Sequence, residues 1–237
     1  MTVDIIFTAI SKLPSDISNK TIVVVDVLRA SSVICTALAN GAKNIHPVLS
    51  TNEAFERLRN INAKNTLLVG ERNALPINGF DLGNSPLLFT KEVVKNKSLI
   101  MTTSNGTRAI RNAQGADCLY IASFLNAGAT IERLTQHQDI IILCSGTNGE
   151  FALEDSLCAG LIAFELTRNQ YKLSDAALAM SSLYISQKDH LQDFASRGRH
   201  YQYLLSLGLQ PDLDYCFNIN IINIIPRLHK DGTIQAK

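Results

Sequence analysis

Short apolar, β-branched runs recur along the first 144 residues of the chain, separated by segments with helical periodicity. Runs that are apolar throughout are typical of strands buried on both faces. The predicted strands are 3–7, 21–27, 44–48, 66–70, 98–102, 118–122 and 139–144, and the predicted helices between them are 32–40, 52–59, 107–113 and 126–136. This alternation predicts an α/β fold with a mostly parallel sheet and helices on both faces.

The pattern changes after residue 150, where helical periodicity predominates. The predicted helices of this helix-rich C-terminal part are 153–168, 174–187, 190–195, 198–207 and 212–217. Residues 219–226 have strand composition and are predicted to add an edge strand, whereas the Pro- and Gly-containing segment 71–90 is predicted to be an ordered loop. With no linker visible, we expect a single domain over 1–237 with a helical extension from about 151.

Composition narrows the class of protein. A formal net charge of +1 gives no electrostatic argument for nucleic-acid binding, which normally requires a basic patch. Five cysteines without a C-x-x-C pair argue against a disulfide framework or a thiolate zinc site. The amino terminus lacks a signal-peptide pattern, and no apolar run is long enough to span a membrane. We therefore expect a cytoplasmic protein without nucleic-acid or membrane partners, and leave open a homodimer.

Four of the predicted strands end in clusters of hydroxyl, Gly and charged residues. The clusters read DVLRASS from Asp26, GER from Gly70, TTSNGTR from Thr102 and CSGTNGE from Cys144. Parallel sheets bind ligands beyond the carboxyl ends of their strands, where helix N-termini and loops favour anions. The clusters therefore predict an enzyme that acts on a small, multiply charged anion.

Two carboxylates follow these strands directly. Asp26 ends an apolar strand, where a carboxylate is costly unless it is paired or binds a metal, although it also suits a helix N-cap. Glu71 occupies the equivalent place, with a salt bridge as its alternative role. Together they could share Mg²⁺, which prefers oxygen ligands. Glu150, Glu154 and Asp155 are further candidates, or partners of a helix dipole.

Anion-binding groups accompany the carboxylates. Arg29 can bind a phosphate or carboxylate in a bidentate manner, and the hydroxyls after it lie at a predicted helix N-terminus. Small residues in the two later clusters permit close backbone approach, although they also form ordinary turns. A Walker A spacing is absent. The candidates from these clusters are Ser31, Ser32, Ser104, Asn105, Gly106, Thr107, Ser145 and Gly146.

Taken together, these motifs resemble the 2-phosphosulfolactate phosphatase family. The similarity rests on the four clusters, on GFDLGNSP at 79–86, and on Gly198-Arg199 followed by 212–216, and it covers nearly the whole chain. The resemblance implies Mg²⁺-dependent hydrolysis of 2-phospho-3-sulfolactate to 3-sulfolactate and phosphate, a step of coenzyme M biosynthesis. Asn73 and Ala74 stand where relatives carry a glycine-richer stretch.

The implied substrate carries a phosphate, a carboxylate and a sulfonate, so arginines and a cation are expected around it. The resemblance adds Arg72, Arg197 and Arg199 to the expected substrate-binding residues, and gives catalytic roles to Asp26, Arg29 and Glu71. We expect Asp26 and Glu71 to hold Mg²⁺, and either water or Asp26 to attack phosphorus. The alternatives are a phosphatase of another 2-hydroxy-acid phosphate and a non-catalytic module that binds an anionic metabolite.

Overall fold

The computed structural model describes residues 1–61 and 63–236. Within them, eleven strands form one sheet. The strands are β1 (Thr2–Ile6), β2 (Thr21–Val25), β3 (Asn44–Pro47), β4 (Thr66–Arg72), β5 (Leu75–Pro76), β6 (Ser98–Thr102), β7 (Cys118–Ala122), β8 (Asp139–Cys144), β9 (Lys172–Leu173), β10 (Pro226–Leu228) and β11 (Ile234–Ala236).

Ten α-helices flank this sheet in the described residues. They are α1 (Ala30–Ala39), α2 (Thr51–Arg59), α3 (Lys91–Val94), α4 (Gly106–Asn112), α5 (Ala127–Leu134), α6 (Leu153–Thr167), α7 (Asp175–Gln187), α8 (Leu191–Ala195), α9 (Arg199–Ser206) and α10 (Gln210–Cys216). Short 3₁₀ turns occupy Ala63–Asn65, Pro86–Leu88 and Phe124–Asn126. None of the helices over 1–61 and 63–236 combines the length and apolar character needed to cross a membrane.

The order of the strands is β5-β4-β6-β3-β11-β10-β7-β2-β8-β1-β9. It contains two parallel groups: β4, β6 and β3 on one side, and β7, β2, β8, β1 and β9 on the other. The β10–β11 hairpin joins them through three antiparallel pairings, with Ile234 opposite Ile45 and Arg227 opposite Tyr120. The two groups therefore run in opposite directions, which in a flat sheet would place their carboxyl ends at opposite edges.

Strands of both groups nevertheless pack against the same two helices, α1 and α4. One apolar cluster contains Ile22 of β2 and Leu99 of β6, from the two opposed groups, together with Ile34 of α1 and Ile110 of α4. A second cluster lies on the outer face of the β2 group, where α5, α6 and α7 pack. A third lies on the outer face of β4 and β6, where α2 packs. The α/β prediction, with helices on both faces and a helix-rich C-terminal part, is confirmed.

The predicted edge strand at 219–226 is wrong. In this segment, Asn220 has a left-handed φ of 60°, which interrupts an extended strand. The backbone N–H groups of Asn220 and Ile222 donate to Phe124 and Leu125 carbonyls rather than to a strand edge. The chain pairs with the sheet only from Pro226 onward, and it does so at the centre of the sheet instead of an edge.

The segment 71–90 is ordered against β4, as predicted. The Asp81 carboxylate accepts from the Leu68 N–H at 2.8 Å, and the Asp81 N–H donates to the Leu68 carbonyl. The Gly70 N–H in turn donates to the Leu82 carbonyl at 3.1 Å. These bonds hold the middle of the loop beside the end of β4.

Replacement of Ile234 by Ala tests whether the hairpin secures the two groups of strands. Ile234 is 0% exposed and packs in the inner cluster, so the cavity left behind should lower the free energy of unfolding by about 2–5 kcal/mol. Ile221→Ala is the matched control, because Ile221 is 54% exposed and should lose less than about 0.5 kcal/mol. Urea denaturation of both variants measures the difference, and equal losses would contradict this role for the hairpin.

Candidate active site

A cavity of about 700 Å³ lies where the carboxyl ends of β2, β4, β6 and β8 meet. Each of these strands contributes a residue at or just beyond its carboxyl end to the lining: Asp26 after β2, Glu71 near the end of β4, Ser104 after β6 and Thr147 after β8. Residues at the start of α9, including His200, form another wall. Strand ends from both opposed groups therefore reach this one cavity.

Asp26 is a buried carboxylate that directly follows β2. It is 7% exposed, and its Oδ1 atom accepts from the Ala30 N–H at 3.1 Å. Burial raises the pKa of Asp26 to about 6, the Ala30 N–H and His200 oppose the rise, and Glu71 and Glu154 reinforce it. A Cβ at Gly106 would lie 2.6 Å from Asp26 Oδ2. Gly106 therefore makes room for this carboxylate.

Two further carboxylates stand at the start of α6. Glu154 lines the cavity and is 2% exposed, and its Oε2 atom has no hydrogen-bond partner among the described residues. Asp155 lies behind it and accepts from the N–H groups of Val27 at 2.8 Å and Gly146 at 3.1 Å. Burial raises the pKa of both carboxyl groups, and His200 opposes the rise at Glu154.

Glu71 connects two of the loops around the cavity. Its carboxylate accepts from the Ser104 N–H at 2.7 Å, from the Ser104 hydroxyl at 3.2 Å and from the Ala74 N–H at 2.8 Å. These bonds use both oxygens of Glu71 and fix the turn after β4 against the turn after β6. Glu71 therefore organises the lining as well as contributing charge to it.

Arg29 reaches the cavity from a buried ion pair. One guanidinium nitrogen donates to Asp212 Oδ2 at 2.5 Å, and another donates to the Ala74 carbonyl at 2.9 Å. The Ser85 hydroxyl donates to the other oxygen of Asp212, also at 2.5 Å. Since the arginine side chain and its partner carboxylate are both buried, the pair holds the guanidinium in one orientation.

Arg199 lies at the mouth of the cavity. Its side chain is 85% exposed and forms an ion pair with Glu150 of the loop after β8. Exposed pairs of this kind contribute little to stability because solvent and salt screen them. Arg199 is therefore available to an incoming anion at small cost.

A family model described as 2-phosphosulpholactate phosphatase matches residues 7–231. The chain belongs to this family. It is 44% identical over 231 residues to a probable 2-phosphosulfolactate phosphatase of Clostridium novyi (strain NT), with 97% of each chain covered. A protein of the same name from Clostridium tetani (strain Massachusetts / E88) is 42% identical over 237 residues, with coverage of 99% of this chain and 100% of the relative.

The cavity of this family member brings together part of the set predicted from the sequence. The residues that line it are Asp26, Arg29, Glu71, Ser104, Asn105 and Arg199, with Glu150 and Glu154 from the open carboxylate candidates. The predicted residues outside the lining are Ser31, Ser32, Arg72, Gly106, Thr107, Ser145, Gly146 and Arg197, together with Asp155. The second group supports the walls through local hydrogen bonds and packing.

The hydroxyls outside the lining are largely occupied by backbone groups. Ser31 accepts from the Asp26 N–H at 2.9 Å, Ser32 donates to the Val27 carbonyl at 2.8 Å and Thr107 donates to the Thr103 carbonyl at 2.9 Å. The Ser145 hydroxyl is buried without a partner among the described residues. Short hydroxyl side chains often satisfy neighbouring backbone in this way. Their presence after a strand therefore does not by itself place them on a ligand.

Arg72, Arg197 and Gly146 also have other surroundings than predicted. Arg72 donates to the Glu71 carbonyl at 2.7 Å and to Thr102 Oγ1 at 2.8 Å, behind the lining. Arg197 lies over the Phe194 ring, with its guanidinium carbon 5.6 Å from the ring centre. Gly146 has a φ of 64° in a turn where a Cβ would lie 2.4 Å from the Glu150 carbonyl. The geometry of the turn is therefore sufficient to account for a glycine at this position, and no contact with a ligand is needed to explain it.

Sequence reasoning did not single out Asn84 or His200, and both line the cavity. Asn84 lies within the GFDLGNSP motif, which was its only signal. His200 follows Arg199, and its Nε2 atom lies 2.9 Å from the Leu28 carbonyl oxygen. No spacing among the histidines pointed to His200, because its neighbours come from distant parts of the chain.

The cysteines have the surroundings of core residues. All five are buried and free. Burial raises the pKa of Cys144 well above its ordinary value, with Asp155 adding to the rise. A nucleophilic cysteine requires the opposite shift, towards the thiolate.

The donor set of the cavity fits a single Mg²⁺ ion. Within residues 1–61 and 63–236, no three His, Cys, Asp or Glu side chains are grouped closely enough to bind a metal ion together. Mg²⁺ is commonly bound by one or two carboxylates, with waters and substrate phosphate completing its shell. The unpartnered Oε2 atom of Glu154 and the Asp26 carboxylate, whose charges disfavour each other, provide such a pair.

Asp26→Asn should stabilise the metal-free protein at alkaline pH. The pKa of Asp26 is raised from 3.8 to about 6, so the folded protein binds more protons than the unfolded chain between these values, and stability falls as pH rises through them. Above pH 6 the amide should raise the free energy of unfolding by up to about 3 kcal/mol. The gain should vanish below pH 4. Urea denaturation at pH 4 and pH 8 tests this, and a gain independent of pH would contradict it.

Asp212→Ala should destabilise the protein strongly, because it leaves the Arg29 guanidinium buried without its anion. Breaking such a pair typically costs about 3–5 kcal/mol. Asp214→Ala is the matched control in the same helix, since Asp214 is exposed and bonded to Gln192 and Gln210 at the surface. Thermal and urea unfolding of the two variants compare the losses. Similar small losses would show that the buried pair contributes little.

Proposed function

We propose that this protein is a Mg²⁺-dependent phosphatase that hydrolyses 2-phospho-3-sulfolactate to 3-sulfolactate and phosphate, a step of coenzyme M biosynthesis. Membership of the family and the names of relatives that match over nearly their whole length support a phosphoric monoester hydrolase. The dependence on Mg²⁺ and the exact substrate rest on the chemistry of the cavity and on the family resemblance.

The unpartnered oxygen of Glu154 carries the proposal for a cation. Four carboxylates line the cavity: Asp26, Glu71, Glu150 and Glu154. The cationic side chains of the lining are already engaged, Arg29 with Asp212 and Arg199 with Glu150. A substrate with phosphate, carboxylate and sulfonate groups would be repelled by this lining unless a cation joined it.

Asp26 and Glu154 would hold the ion in this proposal. When bound, Mg²⁺ would neutralise charge on the phosphoryl oxygens. Glu71 contributes less as a ligand than the sequence predicts, because both of its oxygens accept hydrogen bonds from neighbouring loops. It would instead hold the Ser104 backbone and the Ala74 turn in place around the substrate.

Arg29 would face the transferring phosphoryl group. Phosphoryl transfer depends mainly on positioning and on stabilisation of charge, and a guanidinium fixed by Asp212 needs little reorganisation to provide both. Arg199 at the mouth would leave its ion pair with Glu150 and form one with the carboxylate or sulfonate of the substrate. Asp26 would orient or deprotonate the attacking water, or attack phosphorus itself; the two routes share the same placement of Asp26.

A second candidate is a phosphatase of a larger 2-hydroxy-acid phosphate. It is favoured by the apolar side chains in the lining, among them Leu28, Phe151 and Leu204, which the three-carbon substrate does not require. A screen of phosphate release over 2-phosphohydroxy acids of increasing length separates the two. The three-carbon sulfonate should show the highest kcat/KM.

Removal of the metal should abolish phosphate release, and Mg²⁺ should restore it. Glu154→Gln should lower kcat/KM by about 100-fold and weaken Mg²⁺ binding in calorimetry by about 10- to 100-fold, because it removes a proposed ligand. Glu165→Gln, at the other end of α6, is the matched control and should retain both properties. Full turnover in chelated buffer, or unchanged Mg²⁺ affinity in Glu154→Gln, would overturn the proposed metal site.

A further inference from the structure

Asn84 carries a buried amide that the protein leaves without a partner. The residue is 5% exposed and lines the cavity, and its Oδ1 atom is buried with no hydrogen bond. Across the described residues, neither end of this amide bonds to another group. Buried polar groups in native proteins are nearly always hydrogen-bonded, so an unpartnered amide on a cavity wall indicates a ligand.

The residues on both sides of Asn84 are anchored. The Leu82 carbonyl accepts from the Gly70 N–H at 3.1 Å, and the Ser85 hydroxyl donates to Asp212, the partner of Arg29. The protein therefore holds Asn84 on the cavity wall from two sides while leaving its amide free. Such an arrangement suits a side chain that binds a ligand in a fixed orientation.

The chemistry of the free amide defines the ligand group. Oδ1 of Asn84 accepts hydrogen bonds. Ionised phosphate, carboxylate and sulfonate oxygens are also acceptors, so they cannot bond to Oδ1. Among the groups of the proposed substrate and product, its partner must therefore be a donor. In the proposed reaction, hydrolysis converts an ester oxygen into a hydroxyl next to a carboxylate, which places a donor beside an acceptor, as the side-chain amide does.

We propose that Asn84 recognises the 2-hydroxy acid product, with Oδ1 accepting from its hydroxyl and Nδ2 donating to the adjacent carboxylate. This inference rests on the proposed function, since it takes its ligand from that reaction. The phosphorylated substrate lacks the hydroxyl donor. Asn84 consequently favours product over substrate and sets the strength of product inhibition.

Calorimetric titration with 3-sulfolactate and with 3-sulfopropanoate, which lacks the hydroxyl, tests the inference in buffer containing Mg²⁺. The wild-type protein should prefer 3-sulfolactate, and Asn84→Ala should lose about two- to tenfold of that preference, the range expected for one hydrogen bond. Asn84→Asp retains an acceptor oxygen, so it should bind both anions more weakly but keep the preference. Asn44→Ala is the matched control, because Asn44 also has an unpartnered Oδ1 atom but lies outside the cavity.

Equal losses for the two ligands in Asn84→Ala, or no loss for either, would overturn the role of Asn84. Phosphate release from 2-phospho-3-sulfolactate, measured on the same preparations, separates this failure from a failure of the proposed function. If the wild-type protein releases phosphate and Asn84→Ala still prefers 3-sulfolactate to 3-sulfopropanoate, the role of Asn84 is rejected and the proposed function is not. If the wild-type protein neither releases phosphate nor binds 3-sulfolactate, both the proposed function and the role of Asn84 are rejected.

Discussion

The packing of α1 and α4 against both directions of strand is the constraint on which the rest of the structure depends. Ile34 and Ile110 of these helices share one apolar cluster with β2 and β6, which belong to opposed groups. Each fully buried side chain of this size contributes about 1.5–3 kcal/mol through the hydrophobic effect. This shared core holds together the two opposed groups of strands, whose ends bring Asp26 and Glu71 to the same cavity.

The site formed at these strand ends has a cost in stability. Asp26, Glu154 and Asp155 are all buried; Asp26 and Glu154 raise the pKa of Asp155, and Glu154 also raises that of Asp26. Buried like charges are unfavourable in a protein core but frequent where a reaction needs them. The surrounding apolar clusters offset this cost, and the unfavourable interactions between carboxylates lie at and beside the cavity.

The sequence predicted the elements better than their arrangement. Strands such as β2 and β8 were evident because their residues are apolar throughout. Their direction relative to β4 and β6 was not, since it depends on β10 and β11, which are three residues each. Short strands leave little periodicity to detect, and pairing partners far apart in the chain leave none.

The same limit applies to the residues of the cavity. Those at or near the carboxyl ends of buried strands, such as Asp26, Glu71 and Ser104, could be placed because a strand end has a known position in a parallel sheet. Ser31 and Thr107 could not be separated from true ligand groups, because their hydroxyls bond to nearby backbone atoms. Asn84 and His200 reach the cavity only through tertiary packing.

The central hairpin has a consequence for biosynthesis. Residues 226–236 leave the ribosome after all the strands that they connect, yet they occupy the middle of the finished sheet. Until then, the edges of β3 and β7 that receive the hairpin are open, and open strand edges are templates for pairing between chains. The nascent protein therefore exposes two strand edges that favour aggregation until residues 226–236 have been synthesised, when most of its core has already been made.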